Sequence, residues 1–154
     1  MTNQVIEKLE RSNLQYEVLP HPRTESAAAE ARAVGVESRQ VAKTVVLASE
    51  GGYIRAVVPA SERLDLQKVR ARLGGAVDVR LASESELGGA YPSFEIGAIP
   101  PFAGPAGDRV VVDRQLAELP EVVLEAGTHS HSVKLRTPDL LRLSGADIAD
   151  IAAG

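Results

Sequence analysis

Cysteine and tryptophan are both absent from the 154 residues, and there are only two phenylalanines, three tyrosines and one methionine. Without thiols, disulfide frameworks, cysteine nucleophiles and thiolate metal sites are excluded together. With aromatics at 3%, a core has to be aliphatic, and 22 alanines, 18 valines and 16 leucines are available to build it. No apolar run approaches the ~18 residues of a membrane span, and the opening MTNQVIEKLERSN lacks the layout of a secretory signal. A surplus of positive charge is missing too. Seventeen Lys and Arg stand against 21 Asp and Glu, a net charge of −4, which argues against a globally basic nucleic-acid binder and against long disorder. What remains is the expectation of a soluble, cytoplasmic protein. A chain of this length forms a single core without metal or disulfide staples, burying roughly 68–70% of its unfolded surface.

The patterning alternates between helix and strand. Thr2 to Asn13 sets Val5, Ile6 and Leu9 on one helical face, with Thr2 as N-cap. Gln15 to Leu19 alternates as a strand, which Pro20 and Pro22 end. Ser26 to Val34 is an alanine-rich helix closing at Gly35. Lys43 to Ala48 and Tyr53 to Pro59 predict a hairpin through Ser49-Glu50-Gly51-Gly52. Asp65 caps a helix with Leu66, Val69 and Leu73 inward, ending at Gly74-Gly75; Val77 to Leu81 reads as a strand and Ser83 to Leu87 as a short helix. Gly88 to Gly107, with four prolines and five glycines, predicts irregular backbone. Arg109 to Val112, Glu121 to Ala126 and Ser132 to Arg136 are strands, and Pro138 opens a closing helix. The result is an α/β fold with a mixed sheet and no repeat or linker.

Three features invite chemistry. Of four lysines, Lys8 and Lys68 lie on helix faces open to water, but Lys43 sits within Val41-Ala42-Lys43-Thr44-Val45-Val46-Leu47. Period two places it on a face with Val45 and Leu47. A lysine there must reach a strand end, find an anion or lose its proton. It is either a snorkelling side chain at the mouth of the strand or a cationic anchor in a pocket. Second, Tyr91 to Pro105 holds both phenylalanines and a Gly97-to-Pro105 stretch dense in glycine and proline. Such a loop is either a pinned surface loop or a rigid presenter of backbone N–H groups, the donors that bind a developing oxyanion. Third, His129-Ser130-His131 puts two imidazoles at strand spacing, but the ligand count for a metal is short, with His21 the only other histidine and no carboxylate at a telling spacing. A metal site is not expected, and His131 reads as a hydrogen-bonded strand histidine.

In order along Thr24 to Leu141, these residues resemble the YbaK/prolyl-tRNA-synthetase-associated domain family of aminoacyl-tRNA editing domains. The resemblance is carried by Val41 to Leu47, similar to the family's lysine strand, and by Val57-Val58-Pro59 with Arg63-Leu64-Asp65-Leu66. Leu81-Ala82-Ser83 and the loop Gly97-Ala98-Ile99-Pro100-Pro101-Phe102 complete it. One departure stands out: the family's glycine after proline-phenylalanine is Ala103 here, with Gly104 one residue later. Alanine in a left-handed conformation costs roughly 1–2 kcal/mol, or the turn shifts by one residue.

The resemblance implies one editing-type domain over residues 1–154, its mostly antiparallel sheet curled into a barrel-like core with helices around it. It implies a trans-editing deacylase that hydrolyses the ester of a mischarged tRNA carrying a small amino acid such as alanine, serine or cysteine. Lys43 is the expected catalytic residue, positioning the carbonyl or the terminal phosphate side. Gly97, Ala98, Ile99, Pro101 and Phe102 are expected to bind substrate, as are Gly127, Thr128 and His129 from the family's glycine-and-hydroxyl turn. An aminoacyl ester is already activated, so water and oxyanion stabilisation suffice without a cofactor. The base is the substrate's own ribose hydroxyl or His129. Partners would be mischarged aminoacyl-tRNA and a synthetase. Arg63, Lys68 and Arg72 offer a basic patch for weak tRNA contact, or are simply a solvated helix face. The alternative, kept open by Ala103, is a non-catalytic module of the same fold that senses an amino acid or aminoacyl-adenosine.

Overall fold

Asn3 starts the first helix, its side-chain oxygen accepting from the backbone N–H groups of Val5 and Ile6. The computed structural model describes residues 3–73, 78–104 and 108–153; Thr2, Gly74-Gly75 and Val77 lie outside that set. In chain order the elements are α1 (Gln4–Arg11), β1 (Tyr16–Pro20), α2 (Ala27–Val34), a 3-10 turn (Ser38–Gln40), β2 (Ala42–Ser49), β3 (Gly52–Pro59), α3 (Leu66–Arg72) and β4 (Arg80–Leu81). They continue with α4 (Glu84–Ala90), β5 (Arg109–Asp113), α5 (Arg114–Ala117), β6 (Glu121–Thr128), β7 (His131–Arg136), α6 (Thr137–Ser144) and β8 (Asp147–Ala149). Ser26 and Asp65 cap α2 and α3 with their side chains, and Gly35 ends α2 in the left-handed conformation, as their residue types demand.

Two sheets form rather than one curled sheet. The larger runs β4-β2-β3-β5-β8, with β3/β5 and β5/β8 parallel; the smaller runs β1-β7-β6, all antiparallel. Four of the six pairings are antiparallel, yet among the described residues no barrel closes. The β6–β7 hairpin takes β1 as its partner, and among the described residues the backbone of the two sheets is joined at an isolated parallel bridge from Val41 to Val123, while their side chains share one core.

The larger sheet is covered on both faces, which explains the nearly unbroken apolar run of β3. Val57, Val112, Leu116, Leu124, Val133 and Leu140 pack on one side with Phe94 and Phe102. Leu47, Ile54, Val58, Val69, Val111 and Ile151 pack on the other. Beyond expectation, α4 continues through Gly88-Gly89 to Ala90, fixed at its start by the reciprocal Ser83–Glu86 capping box. The chain end also adds β8 at the sheet edge. Buried Asp113 holds this end, accepting from the N–H groups of Ile151 and Ala152.

Candidate active site

A cavity of about 370 Å³ opens at the seam between the two sheets. The start of β2 supplies Ala42, Lys43 and Thr44, β6 supplies Leu124 and Glu125, and the first turns of α2 supply Ala27, Ala28 and Glu30, with Glu25 and Ser26 at the rim. The loop Gly97 to Pro101 closes the remaining side. The lysine strand and the glycine-proline loop, 54 residues apart in sequence at Lys43 and Gly97, therefore share one hollow. Lys43 is half-buried, and its Nζ donates to the carbonyl of Glu62 at 3.3 Å.

The loop owes its shape to three supports. Gly97 has φ +88°, and a Cβ there would stand 3.3 Å from Cε1 of His129, so the loop rests on the imidazole. Gly127 has φ +85°, and a Cβ there would stand 2.7 Å from the Phe94 ring, so that ring needs glycine beneath it. The third support is Arg55, 2% exposed. Its Nη1 donates to the Pro100 carbonyl at 2.8 Å and its Nη2 to the Ala103 carbonyl at 2.8 Å; its Nε pairs with Asp108 at 3.1 Å, and its guanidinium lies 4.9 Å from the Tyr91 ring centre. Ala103 itself adopts φ +69° and Gly104 φ +80°, so alanine takes the left-handed position and the turn does not slip. Within the loop, the Ala98 N–H is spent on the Glu95 carbonyl, and Pro100 and Pro101 have no N–H. Gly97 and Ile99 keep N–H groups without a partner among the described residues.

The other expected site residues lie elsewhere. Phe102 is buried in the core beside Arg55 rather than on the cavity wall. Gly127 and Thr128 border a separate hollow with Asn3, Phe94 and His131, because a register irregularity between Glu125 and Thr128 turns the strand away. His129 is 5% exposed and is not among the residues that line the cavity. Its Nε2 donates to the Ile96 carbonyl at 2.8 Å and its backbone N–H donates to Glu95 at 2.8 Å, while Glu125 lines the cavity. His131 is the first residue of β7, its Nδ1 within 3.3 Å of the Thr128 hydroxyl and 3.1 Å of the Ser130 hydroxyl. Arg63, Lys68 and Arg72 line no part of the cavity, and Lys68 spends its ammonium on Asp150 at 3.1 Å and the Ala152 carbonyl at 2.7 Å.

Two buried carboxyls went unread. Glu30 is 1% exposed and accepts from the Ser132 hydroxyl, which in turn meets Nε2 of His21 at 2.9 Å. Burial raises its carboxyl above the ordinary range, with the Ser132 bond opposing. Glu125 is 9% exposed; burial, with Glu30, Glu95 and Glu25 nearby, pushes its carboxyl up to about 8. Its Oε2 lies 3.0 Å from His129 Nδ1 without hydrogen-bond alignment, and both atoms are sealed from solvent. The signal for all of these was present. Glu125 within Val122 to Ala126 and Arg55 within Tyr53 to Val58 are lone charges in apolar strands, as Lys43 is, and Glu30 shares the apolar helical face of Ala27, Ala31 and Val34.

Against known proteins, the family model described as an aminoacyl-tRNA editing domain matches residues 21–143. The chain belongs to the aminoacyl-tRNA editing domain family. Among curated relatives of this editing-domain chain, the proline–tRNA ligase of Xanthomonas oryzae pv. oryzae (strain MAFF 311018) is 30% identical over 100 residues. That match covers 62% of this chain, which spans 17% of the relative's length. The fold is similar to the crystal structure of a candidate trans-editing enzyme for prolyl tRNA synthetase, with TM-score 0.85 and 29% identity, covering 100% of this chain and 99% of that one. It is also similar to hypothetical protein APE2540, with TM-score 0.87 and 26% identity over 97% and 99% of the two chains. No helix among the described residues is long and apolar enough to cross a membrane.

Proposed function

We propose that this editing-domain chain is a trans-acting deacylase that hydrolyses the ester between a wrong, small amino acid (alanine, serine or cysteine) and the terminal adenosine of a tRNA. The observation that carries the reading is the shared cavity. Lys43 lines one hollow with Gly97 and Ile99, whose N–H groups have no partner among the described residues, in a chain whose family is defined by editing. In this scheme a water oxygen attacks the ester carbonyl carbon. The carbonyl oxygen becomes an oxyanion held by those N–H groups and by the Lys43 ammonium. The carbon–oxygen ester bond then breaks, and the ribose oxygen leaves with a proton. A preorganised donor of this kind supplies roughly 2.7–4 kcal/mol of transition-state stabilisation.

The neighbouring ribose hydroxyl of the substrate serves as the base that activates the water, since His129 gives its Nε2 to Ile96. Arg63, whose neighbour Glu62 holds Lys43, and Arg72 are exposed and free to meet phosphates weakly, in keeping with the net charge of −4. A synthetase partner would supply the affinity that so acidic a chain lacks.

Incubation with a panel of mischarged tRNAs, following free amino acid, tests the reading. Lys43→Ala is expected to lose at least about a hundredfold in rate while its circular dichroism and melting stay those of the wild type. Equal rates for the two proteins would overturn the role of Lys43. Ligand-dependent stabilisation without turnover of any tRNA would favour a sensing module instead.

A further inference from the structure

The cavity is short of positive charge. Glu30 and Glu125 form part of its wall and Glu25 its rim, whereas Lys43, the cation that lines it, has its ammonium turned toward the Glu62 carbonyl. The side chain of Glu125 is nine-tenths buried, at 10% exposure, and neither of its carboxyl oxygens accepts a hydrogen bond among the described residues. The groups around it are negative or engaged, and His129 Nδ1, 3.0 Å from its Oε2, is not aligned to hydrogen-bond with it. Glu30 takes the Ser132 hydroxyl, Glu95 takes the His129 N–H and Arg23, Glu25 takes Arg23, and His129 gives its ring N–H to Ile96. A buried carboxyl on a cavity wall with no donor is a vacancy for a cation.

Among the described residues no three histidines, aspartates or glutamates converge tightly enough for a metal ion. A primary ammonium asks less, because its three N–H groups need only spaced acceptors. We propose that the Glu125–Glu30 wall receives the α-ammonium of the aminoacyl group. The site is thereby restricted to esters with a free α-amine, and N-acylated esters are refused. The identity of the ligand as an aminoacyl ester rests on the deacylase reading above. The stereochemistry suits it: in such an ester a single carbon separates the ammonium-bearing carbon from the carbonyl oxygen. An ammonium seated on β6 and α2 therefore directs that oxygen across the cavity toward Lys43 and the Gly97–Ile99 loop. Glu125, held protonated while the cavity lacks a cation, ionises when one arrives and gives its proton to solvent.

The probe is 3′-deoxy-3′-(L-alanylamino)adenosine, whose amide resists hydrolysis, compared by calorimetry with its N-acetyl counterpart. The wild-type chain is expected to bind the free amine roughly tenfold or more tightly than the acetylated form, as a charge-assisted hydrogen bond would give. Binding at pH 7 should release a proton, seen as a heat that depends on the buffer. Glu125→Gln and Glu30→Gln keep shape and should reduce the preference without weakening the acetylated probe; a merely structural role would weaken both. Equal affinity for the two probes, no binding of either, or a preference that survives both substitutions would overturn the inference. Amine-selective binding with no amino acid released from any mischarged tRNA would refute the deacylase and leave the ammonium site standing. Equal hydrolysis of free and N-acetylated aminoacyl-tRNA would do the reverse.

Discussion

Replacing Arg55 with methionine tests whether the loop from Gly97 to Pro101 is held from behind. The side chain is 2% exposed, so no water stands ready to take over its partners. The substitution orphans the carbonyls of Pro100 and Ala103 and leaves Asp108, 15% exposed, without its cation. Removing one partner of a buried ion pair costs about 3–5 kcal/mol, and methionine recovers only packing against Tyr91. For a chain of this size each kcal/mol lowers the melting temperature by about 2–4 °C, so a fall of about 6–20 °C is expected. Arg55→Lys keeps the charge but not the fork, cannot serve two carbonyls and a carboxylate in one plane, and should fall between. Thermal and urea denaturation read the stability. Deacylation well below the melting point reads the loop, where a loss in kcat larger than any rise in KM is expected, because the donors act on the transition state. A cost under about 1 kcal/mol, with turnover intact, would mean that the loop holds its shape without Arg55.

Further expectations concern single positions. Ala103→Gly relieves a left-handed alanine at φ +69° and, after the entropy that glycine loses on folding, should gain about 0.5 kcal/mol by chemical denaturation; a loss would show that the alanine methyl packs usefully. Glu125 binds its proton more tightly folded, at about 8, than its ordinary 4.5. Its contribution to stability is therefore fully present below pH 4.5 and is lost as the pH rises through 8. Glu125→Gln removes that loss, so the variant should gain on the wild type by a few kcal/mol between acid and mildly alkaline pH, at about 1.4 kcal/mol per unit. Melting curves at both ends of the range check this, and a constant difference between the two proteins would sink it. Gly97→Ala, strained at φ +88° and pressed to 3.3 Å from His129, should cost about 1–2 kcal/mol and slow deacylation; unchanged melting and turnover would count against the loop resting on that ring.

Local chemistry was legible where one residue type decides a conformation. Ser26 and Asp65 as caps, Gly35 as a stop and the Ser49-to-Gly52 turn between two apolar runs all read directly. Lys43 was legible because a charge within an apolar strand needs a destination. The same argument applies to Arg55 and Glu125, and the site came out half complete because it was applied once. Glu30 hid in a helix whose alanines give little contrast between faces. The separation into two sheets was not legible, since β6 and β7 choose β1 over β5 through contacts distant in sequence. The short β8 and α5 carry too few residues for a period to show. The place of His129 under the loop was not legible, because its spacing along the strand says nothing of the irregularity that turns it there.

Among the described residues, the bridge from Val41 to Val123 is the one place where the two sheets share backbone. Lys43 hangs two residues beyond one end of it and Glu125 two residues beyond the other. A shift of one sheet against the other about this bridge would therefore change the gap between the Lys43 cation and the Glu125 carboxyl. Substitutions far from the hollow, in either core, that shift one sheet against the other are therefore expected to change that gap.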